Sequence, residues 1–340
     1  MSSVEARPAS LDRISVIVPV RNEEASIAQL LRGVLGQTHR PAEIVITDGG
    51  SGDRTKEIIR EHQASCPIPI VLIETDHALP GRGRNLAIAR ATHEWIASID
   101  GGIHPRPDWL EHLVATARRD PRAEIIYGTA EPLTDTYFTE CAAISYVPGG
   151  RLTQFIASCL LRRSAWAAAG GFREDLRSGE DLLFFRSLKA AGVKAANCDD
   201  ALVAWELRPT LARTFQRFTL YSRHNMRAGL GREWQFNVTR LYLIILVLLL
   251  GGFFFRPLLL LPPAILLLRT GKRIWGYYRA RAPERLWREL LNPRRVLTIA
   301  WISVVIDTAT LYGLWQWLLH DRARPVNELR PSGNSPLDRG

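Results

Sequence analysis

Four short apolar runs rich in β-branched residues, each followed by a polar or glycine-rich stretch, constrain the fold most. They are Ile14–Val20 (ISVIVPV), 43–47 (EIVIT), 68–75 (IPIVLIET) and 95–100 (WIASID). Runs this short and this apolar read as strands buried on both faces. After the first, Ile27, Leu30, Leu31, Val34 and Leu35 recur on one helical face, and Asn22 is the predicted cap. Further helices are predicted over 56–62 and 84–91. Strands alternating with helices at this spacing imply a mostly parallel sheet with right-handed crossovers.

Ligands of such sheets bind beyond the carboxyl ends of the strands. Here the strands end in PVRNEE, TDGGSGD, ETDHALPGRGRN and DGGIHP. One such stretch is explained by turn chemistry alone. Four along a single sheet edge argue for one extended ligand.

The last third changes character. Residues 241–255 are fifteen apolar or glycine residues without a charge; Arg256-Pro257 interrupts, and the apolar run resumes over 258–268. A second block spans 296–319 and contains Asp307. One crossing takes roughly 20 residues, so 241–268 suits a hairpin or a re-entrant pair turning at Arg256-Pro257, and 296–319 a span. Between them, 269–295 holds nine Lys+Arg against two Glu, with Trp275, Tyr277, Tyr278 and Trp287. Basic and aromatic residues together predict a segment at the cytoplasmic interface. A soluble domain burying both blocks is the alternative; LYLIILVLLL opposes it by leaving no polar face.

Charge follows the same division. Residues 1–238 carry 29 Lys+Arg and 28 Asp+Glu, whereas 239–340 carry 15 and 6. The basic excess thus lies beside apolar segments and points to membrane lipid as a partner, not nucleic acid. With 46% hydrophobic and 23% charged residues, disordered, collagenous and coiled-coil classes are excluded. Cys66, Cys141, Cys159 and Cys198 form no CxxC pair, so neither a zinc site nor a disulfide scaffold is indicated. The opening MSSVEARPASLDR has no apolar h-region, and the first domain is expected to be cytoplasmic.

In order and spacing, VIVPVRNEE, IVITDGGSGDRT, GRGRNLAIARA, WIASIDGG and SGEDLLFF resemble the family-2 glycosyltransferases over residues 14–230. The resemblance implies the α/β GT-A fold, a nucleotide-diphospho-sugar donor bound across the strand ends, and inverting transfer. It also implies C-terminal transmembrane helices and a lipid-linked or membrane-presented acceptor. The expected boundaries are a disordered 1–12, a catalytic domain over 13–238, a multi-pass membrane region over 239–320 and a disordered 321–340. Pro19, Arg21, Glu23 and Ser51 are then expected beside the nucleotide, and Arg84 at the base or phosphate. Asp48 ends a strand and can accept hydrogen bonds from base or ribose.

Asp100 stands where the family carries an Asp-x-Asp motif holding a divalent cation, Mg²⁺ or Mn²⁺. This chain reads Asp100-Gly101-Gly102, so the second acid is missing; His104 is the nearest further donor. Asp48 likewise precedes Gly49 where an adjacent acid is common. Glu180-Asp181, after Gly179, matches the motif whose Asp removes the acceptor's proton, with Glu180 orienting the acceptor. The stretch 157–172 before it is read as a strand followed by Trp166 and Gly170-Gly171-Phe172. Downstream, Gln216 is not followed by the Arg-Trp of processive members. Arg217, Arg223 and His224 fall on a predicted amphipathic helix and could contact diphosphate, a lipid phosphate or anionic lipid. The expected function is glycosyl transfer to a membrane-associated acceptor of the cell envelope. The alternatives are a polyprenyl-phosphate glycosyltransferase and a non-catalytic nucleotide-sugar-binding membrane protein.

Overall fold

A computed structural model of the protein describes residues 10–322; the expected disorder of 1–12 and 321–340 lies outside them except at 10–12 and 321–322. The chain divides into two compact units. One comprises the chain up to Glu131 together with Thr153–Trp205. The other comprises Pro132–Leu152 and the chain from Glu206 onward.

The first unit is built on strands β1 (Ile14–Val20), β2 (Glu43–Asp48), β3 (Ile70–Glu74) and β4 (Trp95–Ser98). They pair in parallel in the order β3-β2-β1-β4. The crossovers are α1 (Ile27–Leu35), α2 (Thr55–Ser65) and α3 (Pro80–Arg90). β2 is buried throughout and β1 at six of seven positions, which explains runs without a polar alternation. Then follow β5 (Ile103–Pro105), α4 (Trp109–Arg119), β6 (Ile125–Leu133), α5 (Tyr137–Tyr146), β7 (Cys159–Arg162), α6 (Arg163–Ala168), α7 (Glu180–Ala190) and β8 (Ala195–Glu206). The sheet has eight strands in the order β3-β2-β1-β4-β7-β6-β8-β5. β7 is antiparallel to β4 and β6, and β5 to β8. A core of Ile17, Val45, Ile96, Leu161, Phe172 and Phe184 joins the two halves of the sheet to α7.

Two expectations are corrected. Asn22 does not cap α1; Ser26 holds the N-cap position, and Asn22 lies in the left-handed region at φ 56°. The fourth strand stops at Ser98, so Asp100 stands in the turn beyond it.

In the second unit, α5 is joined by α8 (Leu211–Arg227), α9 (Gly231–Trp234), α10 (Phe236–Phe254), α11 (Leu261–Arg281), α12 (Leu286–Leu290) and α13 (Pro293–His320). Arg256 and Pro257 form a 3₁₀ turn between α10 and α11, as the breaker residues require. The basic segment begins inside α11, not at its end. α13 packs along α8 where Gly313 has no side chain; a Cβ there would lie 2.5 Å from the Thr219 carbonyl oxygen. Asp307 is buried, accepting from Arg269 Nη2 at 2.9 Å and from the Tyr242 hydroxyl at 3.3 Å. This inward acid therefore has partners from α10 and α11, as an acid among apolar helices needs. α10 and α13 are long and apolar enough to cross a membrane. α10 leaves Leu246, Val247, Leu250, Phe253 and Phe254 exposed.

Candidate active site

The loops after β1 and β2 are laced together. Asp48, 1% exposed at the end of β2, accepts the backbone N–H groups of Gly50 at 3.0 Å and Ser51 at 2.9 Å through Oδ1. Ser51 Oγ in turn accepts from the Asn22 backbone N–H at 2.8 Å, and Asn22 Oδ1 from that of Gly52 at 2.9 Å. Asparagine is among the few non-glycine residues that tolerate the left-handed region, and here that conformation accompanies both bonds. Asp48 Oδ2 is buried without a hydrogen-bond partner among the described residues. Such an acceptor is costly to leave unmet, so it fits a ligand hydroxyl or N–H. Pro19 lies in β1, and Arg21 follows it, half-buried. The Glu23 backbone N–H donates to Thr55 Oγ1 at 2.8 Å. Its carboxylate accepts from Ser26 and lies against Gly101, where a Cβ would come within 2.8 Å of Glu23 Cδ.

Arg84 binds the second part of the site together. It is 2% exposed on α3. Nη2 donates to Asp100 Oδ2 at 2.6 Å and Nη1 to Glu180 Oε1 at 2.9 Å, and the guanidinium lies 5.5 Å from the Phe172 ring centroid. Its fork thus joins the turn after β4 to the first turn of α7. α7 begins after Gly179, whose φ of 85° suits glycine. That bend brings Glu180 inward, 6% exposed. Asp181, half-buried, accepts the Leu182 backbone N–H at 2.8 Å.

The electrostatics are those of three carboxylates around one cation. Burial works against the charge of Arg84, but Asp100, Glu180 and Asp181 more than offset it and raise its pKa. Burial, with the Asp181 charge beside it, raises Glu180 above the ordinary glutamate range. Burial likewise raises Asp181, although Arg84 opposes the shift. A carboxyl group raised in this way holds more protons folded than unfolded between its two pKa values. Stability therefore falls as pH rises through that interval and levels off above it. We expect Glu180→Gln, which keeps the shape and an acceptor for Arg84, to flatten this fall between mildly acidic and neutral pH. Denaturant midpoints measured across that range check it; an unchanged slope would remove Glu180 as its source.

Among the described residues no three His, Cys, Asp or Glu side chains converge as a metal cage. Asp100 Oδ1 and Glu180 Oε2 are nonetheless buried without hydrogen-bond partners among the described residues, beside an excess of negative charge. Asp100 therefore fits a hard cation as a single carboxylate ligand, with phosphate oxygens and water supplying the rest, a habit of Mg²⁺. His104 lies on β5, where its register partner is Ala204 on β8. Arg217, Arg223 and His224 belong to α8 in the second unit. The Arg223 guanidinium grips Asp321 at 2.6 and 3.0 Å, and Arg217 stacks on Tyr221 at 4.6 Å.

Asn85 escaped the sequence reading. Its Oδ1 accepts from Trp166 Nε1 at 3.0 Å and the Phe172 N–H at 2.9 Å, and its Nδ2 donates to the Phe172 carbonyl at 2.9 Å. It thereby holds α3, and Arg84 with it, against the Gly170-Gly171-Phe172 turn. The signal available was a lone amide following GRGR in a predicted helix.

Residues 15–175 match the family model for glycosyl transferase family 2. The chain is 27% identical over 212 residues to glycosyltransferase AglE of Haloferax volcanii, covering 59% of this chain and 69% of that one. It is 26% identical over 230 residues to the pre-mycofactocin glycosyltransferase of Mycobacterium tuberculosis, covering 61% of this chain but 46% of that protein. In fold it is similar to the mannosyltransferase PcManGT from Pyrobaculum calidifontis, solved in complex with GDP-Man and Mn²⁺. The TM-score is 0.57, at 20% identity, over 89% of this chain and 87% of that one.

Proposed function

From the premise that residues 15–175 belong to glycosyl transferase family 2, we propose that the chain moves a sugar from a nucleotide-diphospho-sugar to a membrane-associated acceptor, with inversion. The observation that carries the proposal is the Arg84 bridge, which holds Asp100 and Glu180 on one buried guanidinium beyond the strand ends, with the Asp181 charge nearby. A binding protein has no need of a carboxylate with a raised pKa beside its acidic partners; a general base does.

In this reading Asp48 Oδ2 receives a donor from the base or ribose, and Ser51, Asn22, Pro19, Arg21 and Glu23 shape the cradle around it. Asp100, through Oδ1, would hold a divalent cation, which when bound neutralises charge on the departing diphosphate. Glu180 keeps Arg84 in place. Asp181 takes the proton from an acceptor hydroxyl, which attacks the anomeric carbon in line as the nucleoside diphosphate leaves. The GDP-Man and Mn²⁺ of the Pyrobaculum structure support a donor and a cation of these classes. UDP-, GDP- and dTDP-sugars with and without Mn²⁺ test it: one donor should bind with metal dependence and be consumed when acceptor is present. Asp100→Ala should abolish the metal dependence, and His104→Ala cost less. Metal-dependent binding without hydrolysis or transfer would overturn the enzyme in favour of a binding protein.

The membrane reading rests on α10 and α13. We place both in the bilayer, with the nine basic residues of 269–295 facing the cytoplasm. That arrangement requires 258–268 to return through the apolar layer after the Arg256-Pro257 turn, making the chain multi-pass. Cysteines introduced singly at Arg281 and His320 in a cysteine-free background distinguish the sides. The second should react with an impermeant reagent outside intact cells and the first should not; the reverse pattern would sink this topology.

A further inference from the structure

One face of α11, with α12, lines a groove in the second unit. Its volume is about 680 Å³, and its walls are Ala264, Leu267, Leu268, Gly271 and Trp275 of α11 with Leu290 of α12. Lys272 also lines it, exposed and without a carboxylate within ion-pair distance among the described residues. The other basic residues of this turn face elsewhere: Arg269 pairs with Asp307, and Arg273 donates to Ser303.

The groove is graded in polarity along the helix. From Ala264 to Lys272 is eight residues, about 12 Å of helix. The walls are wholly apolar at the first end and carry a cation at the other. Trp275 pairs edge-to-face with Trp287 at 5.9 Å, and both are exposed, as tryptophans are at the level of lipid headgroups. An amphiphile with an apolar tail and an anionic head matches this sequence of surfaces. Among the described residues the lining contains no carboxylate or imidazole that could move a proton, which argues against an acceptor undergoing chemistry there.

We propose that this groove is a binding site for an anionic glycerophospholipid, its acyl chain along Ala264, Leu267 and Leu268 and its phosphate at Lys272. The site rests on the membrane reading only for its supply of lipid, so its test is made in mixed detergent micelles, where no spanning topology is required. The full chain is titrated with bromine-labelled phosphatidylglycerol or phosphatidylcholine, and the quenching lost on Trp275→Phe is taken as the groove's signal. Phosphatidylglycerol should half-saturate it at about fivefold lower mole fraction, the preference expected for one basic residue at a membrane surface. Lys272→Gln should abolish the preference while leaving quenching by phosphatidylcholine. Gly271 has room for a side chain: a Cβ there would meet Leu290 Cδ1 at 3.6 Å, an ordinary van der Waals contact. Gly271→Leu should therefore fill the groove and weaken quenching by both lipids. Equal quenching by the two lipids in the unaltered protein would overturn the proposal. So would reversal by inorganic phosphate alone, or a Gly271→Leu protein whose only change is loss of a dimer, which would make a second copy the occupant.

Discussion

Arg84→Met lowers the unfolding free energy by about 3–5 kcal/mol, the usual result of removing one partner from a buried ion pair. Methionine fills similar space but leaves Asp100 and Glu180 without their shared cation. Glu180 bears more of the effect, because its side chain is 7% exposed against 31% for Asp100, and water screens the more open carboxylate better. The loss should shrink in acid, where both carboxyl groups take up protons. It should also shrink in the double variant Arg84→Met/Glu180→Gln, since an amide needs no counter-charge. Denaturant midpoints of the single and double variants at two pH values measure this coupling. A full loss in the double variant, equal to that of Arg84→Met, would mean that Arg84 stabilises through packing on Phe172 and not through charge.

Asp181→Asn cuts turnover by roughly 10²–10⁴, the contribution of a positioned general base, with donor affinity little changed. Asparagine keeps the shape and can still accept the Leu182 N–H, so the fold should tolerate it. Glu180→Gln, which keeps an acceptor for Arg84, should lose less. A phosphate acceptor is already ionised at neutral pH and needs no base, so the size of the loss also reports the acceptor's class. The measurement is steady-state transfer with the donor held saturating. Unchanged turnover on a hydroxyl acceptor would remove Asp181 from the chemistry.

The parallel half of the sheet was legible because β1, β2 and β4 are buried almost throughout and read as unbroken apolar runs, and β3, half-buried at the sheet edge, is still apolar up to Glu74. The antiparallel half was not, apart from the strand read ahead of Trp166. β8 mixes Asn197, Asp199 and Asp200 with apolar residues, β5 is three residues long, and β6 is punctuated by Gly128 and Pro132. Gly128 reads as a breaker, yet it is needed there: a Cβ would come within 2.7 Å of the Ala201 carbonyl oxygen. The start of α7 was legible from a glycine before two acids, since only the backbone bend and the helix dipole are involved. The partners that hold Arg84, Asp100 and Glu180, were not legible. A basic residue in a polar helix reads as exposed, and nothing local to GRGRN states that α3 packs close enough to bury it. The link of Ser51 and Gly52 to Asn22 was invisible for the same reason: it joins residues 29 and 30 apart in sequence.

What brings α3 so close is the absence of two side chains. A methyl group at Gly81 would be driven into the Arg173 carbonyl, and one at Gly83 would press on Pro19 Cβ at 3.2 Å. The first obstacle is backbone and cannot yield; the second is a side chain and can give a little. Mutational tolerance at this helix should therefore run opposite to chemical interest. An acid can be exchanged for its amide with the architecture kept, whereas the smallest possible addition at Gly81 displaces the helix that carries the guanidinium. Variants that lose every property of the acidic set at once are to be sought first among residues that have no functional group at all.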